Sequence, residues 1–256
     1  MSDYQQDVNE ESAWLTVSDL MAGLMMVFLF IAIVLMRQAI VDKEKYESIA
    51  EIYFETKQEI AKQIQQEFED DLQRWYATID EKSLTLFFTP PETMFENGRA
   101  EIANEYQAVL ADFFPRYLNI LKTGYFVKTD GSRINFSDII SEVRIEGHTS
   151  SVWRGAESQQ DAYFRNMKLS QDRTRTVLSY VSNLEAVQPN ATWVQDKIAA
   201  VGLSSSKLRY IEFECNDTSS EVNKASCTED VEASQRVSFR IITNADSQIE
   251  TIFGAQ

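Results

Sequence analysis

One aspartate, Asp19, stands alone in an apolar run long enough to cross a membrane, and no other feature constrains the chain as much. From Ala13 to Met36 the sequence reads AWLTVSDLMAGLMMVFLFIAIVLM, and Asp19 is its only charge. A bilayer crossing needs roughly 20 apolar residues at about 1.5 Å of helical rise each. The run is therefore read as a transmembrane helix over residues 13–40. An ionised carboxylate at the centre of such a helix costs at least about 2.5 kcal/mol on the mildest scales. Asp19 is thus expected to face a partner helix and to serve ion or proton passage. The open alternative moves the span to Leu20–Ile40 and leaves Asp19 as a boundary residue capping the helix.

Charge narrows the partners. The 256 residues carry 40 acidic and 24 basic side chains, a formal charge of −16. Phosphate binding needs a basic face, so nucleic acid is excluded as a partner. The segment ahead of the run is acidic (Asp3, Asp7, Glu10, Glu11), where a cleavable signal peptide is basic, so the helix is expected to be retained. Arg37, Lys43 and Lys45 follow the span, and by themselves they would hold the large domain in the cytoplasm. No nucleophile–base pair, phosphate loop or metal-ligand cluster is present, so neither an enzyme nor a metal or cofactor site is expected. Cys215 and Cys227 are spaced too widely for a CxxC motif, and the chain has a single histidine, which argues against zinc. The two cysteines either close the polar loop NDTSSEVNKAS as a disulfide or remain free thiols.

Residues 41–82 read as a helical linker. Between Asp42 and Tyr76 there is no proline or glycine, and Ile49, Ile52, Ile60, Ile64, Phe68, Leu72 and Trp75 fall at helical spacing. That stripe suits either self-association or packing on a neighbouring domain. Residues 83–256 alternate strand and helix signals and predict an α+β fold, a two-layer α/β sandwich. Strands are expected at Leu84–Phe88, Ile139–Gly147, Leu208–Phe213 and Val237–Ile242. Helices are expected at Ala100–Leu121, with a kink or break at Pro115, at residues 160–184, and briefly at Asp196–Val201.

Two motifs sit in this domain. Gly147-His148-Thr149 closes a strand, and Asn166-x-x-Leu169-Ser170-x-x-Arg173 opens the following helix. Asn166 and Ser170 could satisfy free N–H groups near that helix start. Arg173 could form a bidentate pair with a carboxylate ligand. With Phe95-x-x-Gly98-x-Ala100-x-Ile102 before them and Gln235-Arg236-Val237 after, roughly residues 83–245 resemble the OmpA-like peptidoglycan-binding domain. The resemblance implies a wall-binding set of His148, Thr149, Ser150, Asn166, Leu169, Ser170, Arg173 and Arg236, with Arg173 pairing the carboxylate of a diaminopimelate moiety. In that family an aspartate directly after Gly-His-Thr pairs with the ligand's amine. Here Ser150 holds the position, Glu157 and Asp161 are possible replacements, and a degenerate site serving dimerisation is the alternative.

The layout of the whole chain resembles MotB-type stator subunits: a short tail at residues 1–12, one span with a solitary aspartate, a linker and an OmpA-like domain. Around Asp19 the likeness is local, with Trp14 before it and Leu20-Met21-Ala22-Gly23-Leu24-Met25-Met26 after it. It implies that Asp19 accepts protons and faces a multi-pass partner of the MotA class. The charged linker, the missing basic N-terminus and the cysteine loop make the chain most similar to the MotB-like subunits of Zorya anti-phage defence systems. That likeness implies five copies of a ZorA-like partner around two of this chain, a homodimer, in the bacterial inner membrane. The tail would be cytoplasmic and the domain periplasmic, against the charge pattern, with protons rather than a cofactor as the working species. A passive wall tether, a flagellar-type stator and a TolR- or ExbD-like transducer are the alternatives.

Overall fold

The structure, a computed structural model, describes residues 3–89, 94–96, 98–128, 130–211 and 227–244, with side chains described from residue 17 except at 42 and 44–53. The chain divides into two compact units, Met1–Ile52 and Tyr53–Gln256.

Helix α1, Asp3–Leu72, supplies all of the described first unit. It contains no proline and a single glycine, Gly23, so nothing in its sequence interrupts i→i−4 bonding. Its segment Val17–Val41 is long and apolar enough to cross a membrane, and none of it is buried against other parts of the chain.

The second unit is a mixed α/β domain built on a five-stranded sheet in the order β1-β2-β7-β5-β6. The strands are β1 (Ala77–Asp80), β2 (Thr85–Phe88), β5 (Ile140–His148), β6 (Ile198–Gly202) and β7 (Arg236–Thr243). A small hairpin, β3 (Tyr125–Val127) with β4 (Arg133–Asn135), stands apart from the sheet. Its sequence signal is Asp130-Gly131, with Gly131 at φ 81°, where only glycine is unstrained. Within the large sheet every pairing is antiparallel except β5 with β6. Helix α3, Gln159–Ser182, joins those two strands as a crossover.

Register sorts the strand residues onto two faces. Ile145 lies opposite Phe239, which lies opposite Leu86, and Gly147–Val237–Phe88 form the next such row. These residues are buried under helices α2 (Asn104–Thr123) and α3 and the end of α1. Phe239 is the hub, with its ring 5.1 to 6.1 Å from Phe88, Phe113, Phe114 and Tyr117. Steps of three and four place Tyr106, Leu110, Phe113, Phe114, Tyr117 and Leu121 of α2 on this face. The opposite rows, Arg144–Arg240–Thr85 and Glu146–Ser238–Phe87, are polar except at Phe87. Ser141, Glu142, Arg144, Lys197 and Arg240 line an open cavity of about 620 Å³ on that side. Helices over one face of a sheet make the two-layer α+β architecture that the strand and helix signals predict.

Four local expectations change. The segment from Tyr53 to Lys82 is not a linker but part of the compact unit. Ile60, Ala61, Ile64, Phe68 and Trp75 are buried in its core. Arg116 of α2 binds Glu67 Oε1 at 2.8 Å and Asp71 Oδ2 at 2.7 Å while its guanidinium lies over Phe68. Helix α1 ends at Leu72, and Ala77–Asp80 follows as an edge strand closed onto β2 by a turn in which Asp80 accepts from Lys82 N and Ser83 Oγ. Helix α2 runs through Pro115 without a break, because the one lost N–H bond is outweighed by Phe113, Phe114, Tyr117 and Leu118 packing around it. Asp196–Val201 is helical only at Asp196 and Lys197. Helix α4 (Ala191–Lys197) stops there, and Ile198–Gly202 pairs with β5, Val143 to Gly147, so parallel pairing overrides the helical preference of its alanines. Of the expected strand at 208–213, only the bridge Tyr210–Glu229 is formed, and Glu212 and Phe213 lie outside the described residues.

Removing the Phe239 ring leaves a void at the meeting point of sheet and helices. We expect Phe239→Ala to cost about 3–5 kcal/mol, measured by chemical denaturation of the full-length chain in detergent. A loss below about 1 kcal/mol would contradict the hub role.

Candidate functional site

At the C-terminal end of β5 the strand meets α3 at unusually short range. A Cβ on Gly147 would lie 2.7 Å from Ser170 O, and one on Gly202 would lie 2.5 Å from Gln171 N. Both strands therefore need glycine where the backbone of α3 passes. This contact fixes the height of Asn166, Leu169 and Arg173, which face the loop leaving β5. Asn166 Nδ2 donates to Ser150 O at 3.0 Å. Ser170 Oγ accepts from Ser204 N at 3.1 Å, and Thr149 N donates to Ser204 O at 2.9 Å. Neither Asn166 nor Ser170 serves the helix start. That role belongs to Ser158, whose side chain accepts from Asp161 N, while Asp161 Oδ2 accepts from Glu157 N.

The result is a cavity of about 260 Å³. Thr149, Ser150, Asn166, Leu169 and Arg173 line it, together with Gly98, Val152, Trp153, Arg154 and Gln235. Arg173 is its chemical centre. The side chain is 5% exposed, and no carboxylate pairs with it among the described residues. Its Nε donates to Arg99 O at 2.9 Å and its Cζ lies 4.8 Å above the Phe95 ring. This gives the Phe95–Ile102 motif a physical role. The bridge between Phe95 and Ile102 closes a loop, Gly98 turns it at φ 70°, and the loop presents a carbonyl and an aromatic face to the guanidinium. Burial pushes the Arg173 pKa down to about 10, the signature of a cation without a counter-charge. Thr149 Oγ1 is buried beside it without a hydrogen-bond partner. An oxyanion would meet a guanidinium edge and a hydroxyl there.

Three residues of the expected set lie elsewhere. Ser170 is fully buried and holds Ser204. His148 and Arg236 are cross-strand neighbours on the far face of the sheet. The Arg236 guanidinium donates to Ala233 O, Ser234 O and Lys207 O and lies over Phe87, clamping two loops onto that face. Glu146 Oε2 lies 3.6 Å from His148 Nε2, and Ser238 Oγ lies 3.4 Å from it. Burial pushes the His148 pKa down from 6.5, and Arg236 adds to this, against the opposing pull of Glu146. Burial would raise the Glu146 carboxyl, but His148, Arg240 and Arg144 together hold it below 4.5. Trp153, Arg154 and Gln235 were not foreseen as lining residues. The nearest signal was an aromatic–basic pair in the loop preceding a helix. Asp19 lies near the start of the apolar segment with its side chain exposed. Cys215 lies outside the described residues.

His148 is the only histidine in the chain, so acid sensitivity between 6.5 and 4.5 reports on it. Its folded pKa lies below its ordinary value. Above 6.5 it costs nothing, and as pH falls below 6.5 the unfolded chain takes up a proton that the folded chain does not. Stability should fall there with a slope of up to about 1.4 kcal/mol per pH unit, joined below 4.5 by Glu146. We expect His148→Gln to flatten the 6.5–4.5 limb of a stability–pH curve. An unchanged slope would contradict the buried neutral imidazole.

No family model matches the chain. The solved structures it is similar to include a putative MotB-like protein from Desulfovibrio vulgaris, at TM-score 0.41 and 18% identity, over 73% of this chain and 94% of that one. Another is the cell wall anchor of the type VI secretion system from Pseudomonas aeruginosa, at TM-score 0.41 and 14% identity, over 71% and 97%. A third is the periplasmic domain of Helicobacter pylori MotB, at TM-score 0.37 and 14% identity, over 69% and 94%. Likeness at that level assigns nothing by itself. The sequence, however, is 40% identical over 239 residues to Zorya protein ZorB of Escherichia coli strain Crooks, covering 93% of this chain and 91% of that protein, and the chain therefore belongs to the ZorB family.

Proposed function

We propose that this chain is the wall-anchored, ion-carrying subunit of a MotA/MotB-like stator that works in Zorya anti-phage defence. The observation that carries the reading is the pairing, on one chain, of a lone carboxylate in an apolar segment with a cavity built around an unpaired buried guanidinium. Kinship with ZorB over nearly the whole length supports it. The single apolar helix anchors the chain in the inner membrane, with the tail in the cytoplasm and residues 53–256 in the periplasm, where peptidoglycan is found. Residues at the cavity hold the wall, chiefly Arg173 through a ligand carboxylate, with Thr149, Ser150, Asn166 and Leu169 around it. Cys215 pairs with Cys227 and closes the polar loop, as an oxidising compartment allows. The chain catalyses no bond-making step.

In this reading Asp19 faces a ZorA-like, MotA-class partner, with two copies of this chain inside five of the partner. Protonation neutralises the buried charge and release restores it, which switches the local electrostatics and the helix contacts. A potential of 100 mV offers about 2.3 kcal/mol per charge, roughly four times the thermal energy of 0.59 kcal/mol, enough to bias the direction of each cycle. With the wall holding the domain still, that bias becomes motion of the partner ring.

The test is Asp19→Asn with the partner subunit co-expressed, scored by phage protection and with membrane assembly checked in parallel. We expect an intact complex and loss of protection by orders of magnitude. Full protection by an assembled mutant would favour a passive wall tether with a boundary aspartate.

A further inference from the structure

We infer that the cavity selects a carboxylate that carries no ammonium group next to it, so that the wall peptide it takes has its neighbouring amine acylated. This rests on the wall-binding reading above and narrows its ligand. The charge of the lining is the first observation. Arg173 and Arg154 are both lining residues, and among the described lining residues none is acidic. Neither arginine has an ion-pair partner among the described residues, so the cavity is net positive rather than balanced.

Of the two carboxylates that could replace the missing aspartate, Glu157 is not among the described lining residues, and Asp161 is engaged elsewhere. Asp161 accepts from Arg165 Nε at 2.8 Å and from Glu157 N at 3.1 Å in the cap of α3. Glu229 contacts the loop that forms the rim through Ser151. One of its oxygens takes Ser151 N at 3.0 Å and the other takes Ser151 Oγ, so its acceptor directions are turned to that serine. Ser150, at the position after Gly-His-Thr, offers as acceptors only a neutral hydroxyl and a backbone carbonyl that already takes one bond from Asn166, and no negative charge.

An incoming carboxylate meets the guanidinium of Arg173 and the unpartnered hydroxyl of Thr149. An ammonium held beside that carboxylate would lie in a cavity lined by two arginines, buried Arg173 and exposed Arg154, with no anion among the described lining residues to face. The buried cation repels it most, and a desolvated ammonium without a partner is costly. An acyl amide in the same place is neutral. It can donate to and accept from Gln235 and Ser150, and its methyl or chain can rest on Trp153, Val152 and Leu169. The cavity is thus complementary to an N-acylated amino-acid carboxylate, as in the cross-linked arm of a wall peptide, and opposed to a free zwitterion.

The test titrates the full-length chain in detergent, by calorimetry, with three tripeptide stems ending in diaminopimelate, all with the glutamate α-carboxyl and the chain-terminal carboxyl amidated so that the distal carboxyl is the one that varies. One keeps the distal amine free, one has it acetylated, and one is acetylated with the distal carboxylate amidated. We expect the acetylated peptide to bind at least about tenfold more tightly than the free one, and the amidated one not to bind. In Arg154→Gln the preference should shrink to within about threefold, and in Arg173→Gln all binding should be lost. Equal or tighter binding of the free-amine peptide overturns the proposal, as does a loss of its binding in Glu229→Gln, which would make Glu229 the ammonium acceptor. If no peptide binds but the chain still pellets with purified sacculi, the ligand class falls and wall binding stands. If it does not pellet either, both fall.

Discussion

The unpaired guanidinium of Arg173 is the constraint around which the domain is arranged. Taking an unpaired ion out of water carries an effective penalty of several kcal/mol even after relaxation. The fold returns part of it through the Arg99 carbonyl, a charge-assisted bond worth roughly 1.5–3 kcal/mol, and through the Phe95 face, worth about 0.5–2 kcal/mol. No described carboxylate completes the account, and the lowered pKa of the group reflects the residue of strain. A ligand oxyanion would remove it. The site is therefore held slightly uphill by the folded domain and relaxes when something anionic arrives.

Everything that aims this guanidinium is backbone architecture rather than surface chemistry. Two glycines, Gly147 and Gly202, let α3 approach β5 and β6 at a distance no side chain would permit. Asn166 and Ser170 then tie the helix to the loops after both strands. The far face of the sheet carries a second polar cluster, in which Arg236 and Arg209 lie over Phe87, Arg236 donates to Lys207 O, and Glu146 lies beside His148. Its residues stand next to the cavity in sequence but on the other side of the sheet. This is why a motif read as one binding set divides into a half that lines the cavity and a half that does not.

Much of this was legible in the sequence, and the misses share a cause. The apolar segment, the α+β class, and helices α2 and α3 followed from periodicity, and strands β2, β5 and β7 from short hydrophobic runs. Thr149, Ser150, Asn166, Leu169 and Arg173 were marked by motif and do meet at one cavity. What failed depended on partners distant in sequence. Ala77–Asp80 and Ile198–Gly202 are strands only because β2 and β5 offer them edges. The stripe Ile60, Ile64 and Phe68 reads equally well as a linker or as core until α2 is seen packed against it. His148 and Arg236 alternate with the cavity residues along their strands, and period-two geometry sends them to the opposite face. Trp153, Arg154 and Gln235 reach the cavity through loop conformation, which carries no period.

The account stands or falls on whether the buried cation holds the wall. The most direct measurement is co-sedimentation of the full-length chain, in detergent, with purified sacculi, comparing the natural protein with Arg173→Gln after confirming that both unfold at similar denaturant concentrations. The account predicts that the natural chain pellets with the sacculi and that the glutamine variant, equally folded and with its buried charge removed, stays in the supernatant. Equal pelleting of the two would contradict it and would place wall contact, if any, outside this cavity.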